Sequence, residues 1–143
     1  MAATGKAAIR HIGITTNDPG ATADFFIKGF GFTEVSRHPE NESAVISDGY
    51  INVTLLRFKV DRYGGGHPGL HHFGIQVENL EEAEARIAPL GATELAEWNR
   101  TYGNREGTPE HWVGERKWHT PEGIAIDVNP SGWVNKPGGK RGE

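Results

Sequence analysis

The sequence contains no cysteine. That removes disulfides, thiolate metal ligands and a cysteine nucleophile together, and leaves His, Asp and Glu as the strong metal-binding side chains. It has no run approaching the ~18 apolar residues of a membrane-spanning helix, and Met1 to Lys6 is short and polar, without the apolar stretch of a signal peptide. The expectation is a cytoplasmic protein with no membrane partner. It also lacks an excess of one charge. With 15 Lys and Arg against 19 Asp and Glu, for a net −4, it offers no basic surface, and nucleic acid is not expected as a ligand. What the chain does hold is 20 glycines, 8 prolines and 7 histidines among 143 residues, 36% of them hydrophobic. The glycines and prolines imply many turns between short elements, and the apolar share suffices for one compact domain.

The chain repeats itself. Ile9-Arg-His-Ile-Gly-Ile-Thr-Thr-Asn17 resembles Leu70-His-His-Phe-Gly-Ile-Gln-Val-Glu78. Each segment precedes a helix start, Asn17-Asp18-Pro19 in the first copy and Asn79-Leu80-Glu81-Glu82 in the second, with a side-chain cap before an apolar helical pattern. Each helix ends at a glycine followed by a strand, Gly31 before Phe32 to Val35 and Gly91 before Ala92 to Leu95. The copies are offset by 61 residues from His11 to His72 and by 60 from Gly31 to Gly91. Two more strands follow in each copy: Ser43 to Ser47 and Tyr50 to Phe58, then Trp112 to His119 and Ile124 to Asn129. The resulting expectation is an α+β domain of two tandem βαβββ modules, residues 8–58 and 70–133, forming a concave mixed sheet around a metal site. A Gly-rich linker occupies 59–69, a tail 134–143, and Glu97 to Glu110 reads as an inserted loop in the second module.

Equivalent placement in the two first strands brings His11 and His72 together near a pseudo-twofold axis. Strand alternation puts each histidine on the more polar face of its strand and turns His71 to the other face, as a surface group or one that supports a ligand from behind. Asp127 is the one carboxylate of an apolar strand, Ile124-Ala-Ile-Asp-Val128, where a buried charge needs a partner. Asn52, in Ile51-Asn-Val53, occupies the matching place in the first copy, as a weaker oxygen ligand or as a polar residue hydrogen-bonded within its strand. Two imidazoles and a carboxylate suit one divalent ion, whether Fe, Mn, Ni, Co or Zn. His119 and His111 lie in the strand preceding Asp127 or beside the inserted loop, and are the candidates for general acid or base, with a solvated surface role as the alternative. The tryptophans Trp98, Trp112, Trp118 and Trp133 crowd the second module, as core or as walls of a substrate pocket.

Arg10-His-Ile-Gly-Ile, Asp18-Pro19, Gly29-Phe-Gly-Phe, His72-Phe-Gly-Ile, Thr120-Pro-Glu-Gly and Ile126-Asp-Val together resemble the vicinal oxygen chelate superfamily. That group includes glyoxalase I, methylmalonyl-CoA epimerase, extradiol dioxygenases, fosfomycin-resistance transferases and bleomycin-resistance proteins. The resemblance spans Ile9 to Trp133 and implies metal ligands on the first and last strands of each module, here His11, Asn52, His72 and Asp127. It implies a small-molecule substrate chelated through adjacent oxygens, and a homodimer. Asn52 stands where glyoxalases of this type have a glutamate, and Asp127 where glutamate is usual. The expected activity is a glyoxalase- or epimerase-like lyase or isomerase. The alternatives are an Fe(II) extradiol-type dioxygenase and a metal-free drug-sequestering protein.

Overall fold

The computed structural model describes residues 7–59, 67–102, 115–130 and 133–139. The first module runs β1 (Ala8–Thr16), α1 (Pro19–Phe30), β2 (Thr33–His38), β3 (Ser43–Ser47) and β4 (Asn52–Arg57). The second runs β5 (Gly69–Gln76), α2 (Leu80–Ile87), β6 (Thr93–Glu94), α3 (Ala96–Tyr102), β7 (Arg116–His119) and β8 (Ala125–Asn129). Both repeated helices begin as their sequence signals require. The Asp18 carboxylate accepts the Ala21 N–H at 3.0 Å, and the Asn79 side chain accepts the Glu82 N–H at 2.9 Å. Gly31 closes α1 in the left-handed conformation, φ 74°, which glycine adopts without steric penalty.

All eight strands form one curved mixed sheet in the order β2-β3-β4-β1-β5-β8-β7-β6. The two modules therefore join edge to edge through the antiparallel β1–β5 pair. Within each module the first and last strands are parallel neighbours, β1 with β4 and β5 with β8. The four strands carrying His11, Asn52, His72 and Asp127 are consequently the central four.

Alternation divides the sheet into two faces. Ile12, Ile14, Val53, Leu55, Ala44 and Ile46 pack with α1, and Phe73, Ile126, Val128 and Trp118 pack with α2. The other face is polar, because the neighbours of those residues are His11, Asn52, His72, Asp127 and Lys117, with His11–Asn52 and Lys117–Asp127 as cross-strand partners.

Three features differ from the sequence reading. The insertion from Glu97 opens as a helix, α3, with Asn99 buried against β7. The segment after Trp133 is anchored on the first module, since the Asn52 amide donates to the Val134 carbonyl and Ser47 to Asn135. His71 lies at an irregularity in the β1–β5 register, so alternation does not govern its direction. Linker residues 60–66, residues 103–114 with His111 and Trp112, and tail residues 140–143 lie outside the described residues. Among the described residues no helix is long and apolar enough to cross a membrane.

Candidate metal centre

His11 sits in mid-β1 and His72 in β5, each two residues before a glycine. The register pairs His11 with Gly74 and His72 with Gly13. A Cβ on Gly13 would lie 2.1 Å from His72 Cε1, and one on Gly74 would lie 2.9 Å from His11 Cβ and 2.7 Å from the Trp133 ring. The glycine of each copy thus makes room for the histidine of the other. Trp133, 2% exposed, stacks on His11 with ring centroids 5.1 Å apart and planes 5° apart. This closes one side of the imidazole to water.

The two rings direct their Nε2 atoms at the same point as Asp127 Oδ2. The separations are 3.1 Å between the two Nε2 atoms, 3.1 Å from His72 Nε2 to Oδ2, and 3.8 Å from His11 Nε2 to Oδ2. Donors bound at about 2.1 Å to one divalent ion stand roughly 3.0–3.4 Å apart, so the cluster is already close to ligating size. Asp127 is 1% exposed, and its Oδ2 has no hydrogen-bond partner. An orphaned carboxylate oxygen between two buried imidazoles fits a cation. His11, His72 and Asp127 are a group able to hold a metal ion.

A supporting hydrogen bond sets the His11 tautomer. Asn52 Nδ2 donates to the Val134 carbonyl at 2.6 Å, which fixes the amide orientation and turns Oδ1 toward His11 Nδ1 at 2.8 Å. Nδ1 therefore donates, and the Nε2 lone pair faces the cluster. Asn52 stands behind His11, with both ends of its amide engaged. His71 Nδ1 lies 2.8 Å from His72 Nδ1, a hydrogen bond in which either ring can donate. On the remaining side, Lys117 Nζ donates to Asp127 Oδ1 at 2.6 Å, leaving Oδ2 for the convergent point.

Electrostatics follow from this packing. Burial, reinforced by His72, lowers His11 to a pKa of about 4 against the opposing pull of Asp127. Burial works to raise the Asp127 carboxyl, but His72 and the Lys117 ammonium outweigh it and bring it to about 2. Two neutral imidazole lone pairs and an ionised carboxylate are the states in which these groups bind metal.

Of the proposed acid–base residues, His119 lies two positions from Lys117, on the same face of β7, while His111 is outside the described residues. Sequence reasoning passed over Lys117 and Glu115, which alternate with Arg116 and Trp118 to share that face. Arg116 and the Trp118 indole turn the other way, onto Glu84. Burial, followed by the Asp127 charge, pushes the Glu115 carboxyl up. The signal was the period-two pattern Glu115-x-Lys117-x-His119 leading into the strand beside Asp127.

The model of the Glyoxalase/Bleomycin resistance protein/Dioxygenase superfamily matches residues 8–127. The chain belongs to this superfamily. Solved structures with the same fold include a hypothetical protein from Bacillus halodurans C-125, 16% identical over 86% of this chain and 93% of that one, with a TM-score of 0.62. A methylmalonyl-CoA epimerase variant from Streptomyces coelicolor, solved with 2-nitronate-propionyl-CoA, is 23% identical over 85% and 92%, TM-score 0.58. A 2,3-dioxygenase from Pseudomonas sp. KL28 is 14% identical, TM-score 0.63, and this superfamily member covers 42% of its length. No curated protein matches the chain significantly. At these identities the structural matches establish fold, and the reaction must be argued from the site.

Proposed function

We propose that this protein is a divalent-metal-dependent enzyme that binds a small substrate through two adjacent oxygens, with glyoxalase- or epimerase-like lyase or isomerase chemistry. The observation that carries the reading is the convergence of His11 Nε2, His72 Nε2 and Asp127 Oδ2, with that oxygen otherwise unsatisfied. A divalent ion held there supplies Lewis acidity toward the chelated oxygens and so acidifies a proton on the adjacent carbon. The chain's own residues do the rest. Asn52 and His71 fix the two imidazoles, Trp133 excludes water from the His11 side, and Glu115 and His119 share the strand face from which a proton can be taken or returned.

Elemental analysis of protein purified without chelator tests this reading, run on wild type and on His72→Ala. Near-stoichiometric Fe, Mn, Ni, Co or Zn in the wild type and its loss in the variant are expected. Absence of metal, with none taken up on addition, would favour the sequestering protein. The two-histidine, one-carboxylate set also favours a second reading, an Fe(II) extradiol-type dioxygenase. Oxygen-dependent ring cleavage of catechols by the iron-loaded protein, with no activity toward 2-oxo acids or thioesters under other metals, would establish it.

The protein is further read as a homodimer. Phe25 and Phe30 lie exposed on α1, apolar surface of the kind that marks an interface. A sedimentation mass near twice 15.6 kDa is expected, and a single-chain mass rejects the dimer.

A further inference from the structure

Among the described residues Lys117 is the cation at the metal cluster. Arg10 is committed to the Tyr50 carbonyl and Gln76, and Arg116 to Glu84 and Glu94 on the side of the sheet that carries the helices. Lys117 Nζ stands one carboxylate away from the convergent point, on Asp127 Oδ1, and 5.1 Å over the Trp98 ring. Its backbone is clamped from both sides by one buried residue. Asn99 Oδ1 accepts the Lys117 N–H at 2.7 Å, and Asn99 Nδ2 donates to the Lys117 carbonyl at 3.0 Å. Trp98 and Asn99 both belong to α3, the helix inserted in the second module alone. In the first module the residue paired with the last strand is Ser47, opposite Asn52, so the lysine has no counterpart across the pseudo-twofold.

Charge then decides what the site accepts. Asp127 and Lys117 cancel, and both imidazoles bind metal in the neutral form. A divalent ion therefore brings two uncompensated positive charges into a mostly buried cage. An ionised Glu115 offsets one of them at most, so the cage keeps a net positive charge. A neutral ligand would leave that charge uncompensated, whereas an anionic one offsets it. An ammonium has three donors and Asp127 takes one. The Lys117 side chain is 21% exposed, which leaves it within reach of an entering ligand.

We infer that Lys117, positioned by α3, makes this site selective for a chelating ligand that carries an anionic oxygen, a small 2-oxo or 2-hydroxy carboxylate in class, over a neutral hydroxyketone or amide. The inference rests on the metal-centre reading and narrows its substrate class.

Glycolate and glycolamide share one skeleton and differ in charge. Each is titrated into the Co(II)-loaded protein and followed by the cobalt visible absorption, for wild type, Lys117→Met and Lys117→Arg. The wild type is expected to prefer glycolate by on the order of tenfold more than aqueous Co(II) does. In protein saturated with cobalt, Lys117→Met is expected to remove that excess by weakening glycolate and not glycolamide, and Lys117→Arg to restore it. Equal weakening of both ligands in Lys117→Met would overturn the inference and leave the metal centre standing. A wild-type preference no greater than that of the free ion overturns it without any variant. Failure of the wild type to take up cobalt removes both readings.

Discussion

Gly13 is the residue through which one module's first strand receives the other module's histidine. A methyl group there would occupy the His72 ring position, so Gly13→Ala must push the imidazole away from Asp127. Metal affinity in calorimetry is expected to fall at least tenfold while the far-ultraviolet spectrum is kept. His11 gives a second prediction. Its native pKa of about 4 lies below its ordinary value of 6.5. Above pH 6.5 the ring is neutral in folded and unfolded chains alike and contributes no pH dependence. Between 6.5 and 4 the unfolded chain binds a proton that the folded chain refuses, so stability falls. Asp127 extends the loss, since its native pKa of about 2 lies below 3.8 and its stabilisation disappears as pH falls through that interval. Chelator-treated protein is therefore expected to lose about 3 kcal/mol of unfolding free energy from His11 between pH 6.5 and 4. In denaturant titrations His11→Gln should flatten that slope.

At the scale of elements, the repeated signals were legible because they are local. Caps at Asp18 and Asn79, terminal glycines at Gly31 and Gly91, and alternation in β1, β5 and β8 each depend on a few neighbouring residues. These signals place His11, His72 and Asp127 on central strands and the same face. What the sequence concealed depends on register and on distant segments. His71 lies where the β1–β5 register shifts, so counting alternate residues turned it the wrong way. The part played by Asn52 is set by the Val134 carbonyl, 82 positions along the chain. The polar, Gly- and Asn-containing stretch from Glu97 read as loop, yet its first residues form α3, because Asn99 satisfies the edge of β7 with its side chain. Asn99→Ala would strand the Lys117 N–H beside a buried void, while the Lys117 carbonyl keeps the Leu95 N–H. A loss of about 1–3 kcal/mol is expected in thermal or chemical unfolding, and a change below a few tenths would show that α3 does not hold β7.

At the scale of the whole molecule, the sheet joins two copies of one unit along β1 and β5, and their difference carries chemical meaning. The histidines and glycines obey the pseudo-twofold, while the pair beside them does not: Ser47 and Asn52 in one copy, Lys117 and Asp127 in the other. A truly twofold cage would accept a chelating molecule in either of two orientations related by a half-turn, with equal energy. Any group transferred within it would then arrive at both ends indiscriminately. A salt-bridged pair on one side and a neutral pair on the other removes that degeneracy, so a bound molecule has a head and a tail.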